Sequence, residues 1–316
     1  TLLEMVFAGN NMAFDIDLTN FHETDTVKIL FSEKPGLVIQ VPNNSKIDAF
    51  LDNAGIKFLQ LGNIITGNRA TVKHGDEDHL LDVVKLRDLW FKTSFLLDQR
   101  QTLPKLAEER FINYRNHELN FRFPDHFDGK LASHGLDINR SKPSGIKAAI
   151  IREKGVNGDR EMAYSMHLAG FDVKDVHMTD LISGRETLEE VNFIVFVGGF
   201  SNSDVLGSAK GWAGAFLYNE KAKVALEKFY DRPDTLSLGV CNGCQLMVEL
   251  GLIYPDMGNK PKMLHNESGK FESSFLRIDV LPNNSIMLNT LTGSSLGIWV
   301  AHGEGKFRLE LPEENY

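Results

Sequence analysis

The chain has 316 residues, 42% of them apolar and 24% charged, with a net charge of −9 from 34 Lys+Arg against 43 Asp+Glu. Two domains or one large one suit that length at about 100–200 residues each, and the composition excludes a collagen, a low-complexity chain and a disordered acidic tail. The acidic balance argues against a nucleic-acid partner, no apolar run reaches the roughly 18 residues of a membrane span, no signal peptide is visible, and two cysteines three apart make the cytoplasm the default compartment.

Residues 1–75 carry short apolar runs at 15–18, 27–31, 36–41 and 57–61, split by turn signals at Asn43-Asn44-Ser45 and Gly67-Asn68. A short amphipathic helix is expected over 46–53, through Ile47, Phe50 and Leu51, which makes this part an α+β unit. Leu80 to Leu97 keep a helical period, and from Glu108 to Pro143 the chain turns polar, so 76–145 reads as a helical and then irregular linker. From 146 onward strand and helix signals alternate. Strands are expected at 146–151, 171–177, 193–197 and 236–240, with helices at 159–169, 187–191, 212–229 and 242–250. Such alternation predicts an α/β fold, a doubly wound and mostly parallel sheet with its chemistry at the carboxyl ends of the strands.

The sharpest motif is Gly239-Val240-Cys241-Asn242-Gly243-Cys244-Gln245, after the last of these strands and opening an apolar helix. Gly-x-Cys-x-Gly there is the cysteine version of a nucleophile elbow, whose tight turn needs small neighbours. It sets the sulfur at a helix N-terminus, where the dipole favours a thiolate, and offers the Asn242 N–H to an oxyanion. Alternatives are a redox Cys-x-x-Cys, or zinc, for which a second cysteine pair and a finger-spaced histidine pair are missing; no metal site is expected. Cys244, one turn into the helix, reads as packed against the sheet. Val197-Gly198-Gly199-Phe200-Ser201 follows the third strand, and its glycines offer backbone N–H groups as the other half of an oxyanion hole, or make a plain tight turn. In Ala301-His302-Gly303-Glu304-Gly305, an extended segment would put His302 and Glu304 on one face, as a base and its orienter require. The other nine histidines lack such context and read as surface or structural.

Together these motifs resemble the class I (triad) glutamine amidotransferases, a flavodoxin-like fold. With Arg152-Glu153-Lys154-Gly155-Val156-Asn157, Asp175-Val176-His177-Met178, Asp204-Val205-Leu206-Gly207 and Asn266-x-Ser268-Gly269-Lys270-Phe271-Glu272, the chain is similar to the phosphoribosylformylglycinamidine synthase family in its large single-chain form. Asn202-Ser203 stands where that family has Tyr-Gly, and Val197 where it often has Pro. Leu3-Glu4-Met5-Val6-Phe7-Ala8-Gly9 and Leu30-Phe31-Ser32-Glu33 resemble the end of the family's second, aminoimidazole ribonucleotide synthetase-like half. The resemblance implies a partial synthetase domain over 1–75, a linker over 76–145 and an amidotransferase domain over 146–316 that stops short of the family's end, all cut from a longer multidomain chain. It implies Cys241 as nucleophile, His302 as base and Glu304 as its orienter, with Gly198, Gly199, Phe200, Asn242, Gln245, Asn266 and Ser268 around the oxyanion and substrate. Glutamine is the implied substrate of this part, which needs no cofactor. ATP, Mg2+ and formylglycinamide ribonucleotide belong to the synthetase part. A cysteine hydrolase or peptidase on the same sheet, and a non-catalytic regulatory module, are the other readings open to these residues.

Overall fold

The computed structural model describes residues 1–43, 45–113, 120–258 and 260–312; Asn44 of the expected turn, and His117, lie outside them. Contacts divide the chain into two compact units, 1–118 and 119–316.

The first unit contains α1 (Leu2–Phe7), β1 (Met12–Asp17), α2 (Thr26–Phe31), α3 (Ile47–Asn53), β2 (Gly62–Thr66), β3 (Arg69–His74), β4 (Glu77–Asp82), α4 (Val83–Gln101) and α5 (Pro104–Asn113). Its sheet has the order β2-β1-β3-β4, with β1 and β3 parallel and the outer pairs antiparallel. Val6, Phe7, Phe14, Ile16, Val72 and Val83 form its core. Of the four apolar runs, 15–18 feeds β1, 27–31 becomes α2, and 36–41 and 57–61 have no regular structure. The run at 27–31 is helical because the Asp25 carboxylate accepts from the N–H groups of Val27 (2.9 Å) and Lys28 (3.2 Å), a helix-starting cap. The helix expected from Leu80 begins at Val83. Leu80 and Leu81 are claimed by the β3–β4 ladder, and Asp82 caps α4 by accepting from Lys85 N–H at 3.0 Å.

The second unit contains β5 (Lys147–Arg152), α6 (Asp159–Leu168), β6 (Asp172–His177), α7 (Met178–Ser183), β7 (Phe193–Phe196), α8 (Lys210–Leu217), α9 (Glu220–Tyr230), β8 (Leu236–Gly239) and α10 (Asn242–Glu249). The short strands β9 (Lys262–Leu264), β10 (Glu272–Asp279), β11 (Ser295–His302) and β12 (Lys306–Arg308) follow. The order β6-β5-β7-β8, parallel throughout, is that of a flavodoxin-like sheet. Side chains alternate along each strand, so both faces are apolar. Ala148, Ile150, Phe193 and Val195 meet Met166 of α6 on one side. Ala149, Ile151, Ile194 and Phe196 meet Leu181, Trp212, Phe229 and Leu246 of α7 to α10 on the other, which is the doubly wound arrangement. Beyond the sheet, β9 pairs with β12, and β10 pairs antiparallel with β11 from Glu272↔His302 to Asp279↔Ser295.

Two expected helices differ. The single helix over 212–229 is two: Tyr218 leaves helical geometry, and Asn219 starts α9 by accepting from Ala222 N–H at 3.0 Å. No helix spans 187–191. The buried Glu186 carboxylate takes the N–H groups of Thr187 (3.0 Å) and Leu188 (2.7 Å), leaving only a turn, and the helix of this region is α7, begun by a capping box between His177 and Asp180. Residues 120–146 are tied onto the second unit. Arg122 exchanges two backbone hydrogen bonds with Ser295, and Arg140 donates to Asp172 (2.8 Å) and to the Phe171 carbonyl (2.6 Å). Among the described residues no helix is long and apolar enough to cross a membrane.

Candidate active site

Strands β7 and β8 run side by side and deliver the Gly-Gly turn and the cysteine elbow to the same end of the sheet. Cys241 has φ 53° and ψ −109°, a conformation that L residues rarely adopt. The neighbouring glycines make it possible. A Cβ on Gly243 would collide with the Phe196 carbonyl, and one on Gly239 would lie 2.7 Å from both the Gly243 oxygen and the Met247 sulfur. The elbow is thus wedged between the sheet and its own helix, with the Cys241 side chain exposed. Its Sγ donates to the Ala301 carbonyl at 3.6 Å, which brings the end of β11, and with it His302, to the elbow.

The Gly-Gly turn closes the other side. A Cβ on Gly198 would stand 3.2 Å from that of Cys241. Gly199, at φ 121°, has room only for hydrogen, with Val156 Cα at 2.6 Å from the position of a Cβ. Asn157 N–H donates to the Gly198 oxygen (2.9 Å) and Phe200 N–H to the Gly155 oxygen (3.0 Å), so the 155–157 loop clamps the turn. Between those bonds the Gly199 N–H is left without an acceptor among the described residues, as is the Asn242 N–H at the first position of α10. Phe200 is exposed and lies against Phe271, ring centroids 6.3 Å apart. Asn202, Ser203 and Asp204 follow with φ of 51°, 56° and 48°. Ser203, at the position where the similar family has glycine, holds a left-handed geometry that glycine adopts freely.

A buried polar network joins these pieces. The Asn242 side chain is fully buried. Its oxygen accepts from Ser201 N–H at 3.1 Å, and its nitrogen donates to Asp204 (3.2 Å) and to the Gln245 side-chain oxygen (3.0 Å). Gln245 in turn donates to the Glu304 backbone carbonyl at 2.7 Å. The side chains of Asn242 and Gln245 are thus spent on holding the turn, the elbow helix and the histidine loop together. Asn266 grips that loop from the other side. Its nitrogen donates to the His302 carbonyl (2.7 Å) and the Lys270 carbonyl (3.1 Å), and its oxygen accepts from Gly305 N–H (3.1 Å) and lies 2.9 Å from His302 Nδ1. Ser268 donates to the Lys270 carbonyl at 3.4 Å within the same turn.

His302 and Glu304 do not share an extended face. β11 ends at His302 and the chain bends at Gly303-Glu304, so the Glu304 carboxylate lies 3.6 Å from His265 Nδ1 while the His302 ring covers Gly305. Burial, together with the nearby Cys241 charge, pushes the Cys244 thiol up, consistent with a packed, protonated residue. At the ends of β5 and β6, Arg152 forks onto Asp175 at 2.6 and 2.8 Å, which raises the guanidinium and holds the carboxyl below its usual range. Sequence reasoning missed the clamp of 155–157 on the Gly-Gly turn and the grip of Asn266 on the histidine loop. Both stretches belong to the motifs that carry the family resemblance, and that was their only signal.

Residues 145–315 match the family model of the CobB/CobQ-like glutamine amidotransferase domain. A human relative, phosphoribosylformylglycinamidine synthase, is 40% identical over 99% of this chain and 24% of its own length. An Arabidopsis thaliana relative named "Probable phosphoribosylformylglycinamidine synthase, chloroplastic/mitochondrial" is also 40% identical, over 99% of this chain and 22% of its own. The chain therefore spans under a quarter of the length of these curated relatives. A solved structure, that of PurLQS from Thermotoga maritima, is similar at 26% identity over 54% of this chain and 71% of that one, with a TM-score of 0.43. The match over more than half of the chain, on the sheet and elbow described above, makes this chain a member of the CobB/CobQ-like glutamine amidotransferase family.

Proposed function

We propose that the second unit hydrolyses glutamine through Cys241, His302 and Glu304. The ammonia would feed the ATP-dependent, Mg2+-dependent conversion of formylglycinamide ribonucleotide to formylglycinamidine ribonucleotide, with this chain as the glutaminase part of a cytoplasmic phosphoribosylformylglycinamidine synthase. The observation that carries the reading is the strained cysteine, its sulfur beside the end of β11 and near two N–H groups that have no acceptor among the described residues. The Cys241 thiolate attacks the side-chain amide carbon. Negative charge on the amide oxygen is held by the N–H groups of Gly199 and Asn242. His302 takes the thiol proton and returns it to the departing ammonia, leaving a thioester that water hydrolyses to glutamate, with the thiol restored. Glu304 adds negative charge to the loop where the imidazolium forms. Gly198, Phe200 and Ser268 shape the glutamine pocket, and Asn242, Gln245 and Asn266 hold its frame. Cys241→Ser tests the assignment by glutamine hydrolysis in the intact protein. A loss of about 1,000-fold or more is expected, and hydrolysis close to that of the unaltered protein would overturn the proposal.

A further inference from the structure

We propose that Cys241 and Cys244 also act as a dithiol, which peroxides oxidise to an internal disulfide that stops hydrolysis reversibly. The effect on hydrolysis rests on the glutaminase reading above; the oxidation itself does not. These are the two cysteines of a 316-residue chain, and both fall in the first turn of one helix. Cys241 caps α10 and Cys244 is its third residue. Glutamine hydrolysis uses the first sulfur and has no task for the second. The Cys241 carbonyl accepts from the Gln245 N–H at 3.1 Å, so the chain from 241 to 245 already follows a helical turn. At a radius of about 2.3 Å and a rise of about 1.5 Å per residue, Cα atoms three apart stand about 5 Å from each other. Disulfides span about 4.4–6.8 Å between Cα atoms. The two groups also sense each other: burial and then the nearby Cys241 charge push the Cys244 thiol up.

The order of events follows from exposure. Both thiols are free, Cys241 exposed with its Sγ on the Ala301 carbonyl at 3.6 Å, and Cys244 half-buried. A small oxidant therefore meets Cys241 first. The Cys241 thiolate attacks one oxygen of hydrogen peroxide and the O–O bond breaks. The sulfur becomes a sulfenic acid, and the departing hydroxide takes up a proton as the first water. That sulfenic acid is neutral, so the Cys241 charge that helps keep the Cys244 thiol protonated is gone when Cys244 has to ionise. The Cys244 sulfur then attacks the Cys241 sulfur, and the S–O bond breaks. The hydroxide leaves with the Cys244 proton as the second water. The two sulfurs give up two electrons together, and the peroxide accepts them. Closing the bridge draws Sγ off the Ala301 carbonyl and turns the Cys241 ψ of −109° toward the helical value of about −42°, which relieves the strain of the elbow. The nucleophile is lost for as long as the bridge lasts, and Cys241 is spared oxidation to sulfinic acid.

The test exposes the full chain to hydrogen peroxide. Mass spectrometry reads the peptide that bears both cysteines, and glutamine hydrolysis is followed before and after added dithiothreitol. The native protein is expected to yield that peptide lighter by two hydrogens, with hydrolysis lost on oxidation and restored by the reductant, and with its circular dichroism unchanged. Cys244→Ser is expected to hydrolyse glutamine as the native protein does before oxidation. After peroxide it should carry sulfinic acid at Cys241 and recover at least about tenfold less activity, because sulfinic acid resists thiol reductants. Sulfinic acid at Cys241 of the native protein without the internal disulfide, a disulfide between two chains in its place, an unmodified native peptide, or a Cys244→Ser protein that recovers as fully as the native one would each overturn the proposal. If Cys244→Ser does not fold, the native masses still decide. The two readings fail separately: an internal disulfide in a chain whose hydrolysis survives Cys241→Ser sinks the glutaminase alone, and sulfinic acid in a Cys241-dependent enzyme sinks the dithiol alone.

Discussion

Cys241 holds a backbone geometry that costs an L residue about 1–3 kcal/mol, and it persists because its surroundings allow no other path. Gly243 packs against the backbone of Phe196 so closely that a methyl group would have to push a strand of the sheet aside. Gly243→Ala is therefore expected to destabilise the protein by about 1–3 kcal/mol, the usual range of overpacking, and to displace the cysteine as well. Denaturant unfolding reads the first effect and alkylation of Cys241 the second. An unchanged midpoint would mean that the elbow relaxes freely. Both glycines were legible in the sequence, because a nucleophile at a strand-to-helix turn demands small neighbours whatever the rest of the fold does. The side-chain direction of Glu304 was not. The rule that residues two apart share a face holds in a strand, and β11 stops at His302.

Among the elements, the strands of the parallel sheet fall within a residue or so of their expected bounds, since continuous apolar runs such as 148–151 and 193–197 are the signature of strands buried on both faces. The errors lie where a polar side chain competes with the helix for backbone N–H groups: Glu186 over 187–191, and Asn219 in the middle of 212–229. Asp172 shows the same local chemistry serving the fold. Arg140 beside it, with the N–H groups of Ser144 and Gly145, lowers its pKa from 3.8 to about 2. A carboxyl whose folded pKa is depressed adds stability above its unfolded pKa and loses it as the pH falls through the folded value. The Arg140–Asp172 contribution is thus complete above about pH 4 and fades toward pH 2. Asp172→Asn should lower stability at neutral pH and flatten its decline over that acid window, as followed by unfolding at a series of pH values. A variant curve parallel to the native one through the window would contradict this.

At the scale of the whole molecule, the second unit is a frame in which three separate loops are held around one sulfur. Asn242 ties the Gly-Gly turn to the elbow, Gln245 ties the elbow to the histidine loop, and Asn266 ties that loop to the turn before β10. Such ties span up to 59 residues of sequence, so no local period betrays them; the elbow chemistry brought Asn242 forward, and only the motif resemblance brought Gln245 and Asn266. The first unit was legible as α+β but not in its topology, because the parallel pairing of β1 with β3 joins strands more than 50 residues apart. If this frame serves the amide of glutamine, a glutamine-analogue electrophile should label it. The modified residue is located by mass spectrometry, with and without added glutamine. Modification is expected at Cys241, and added glutamine is expected to slow it. Modification of Cys241 that glutamine leaves unaffected, or no modification of Cys241 at all, would contradict it.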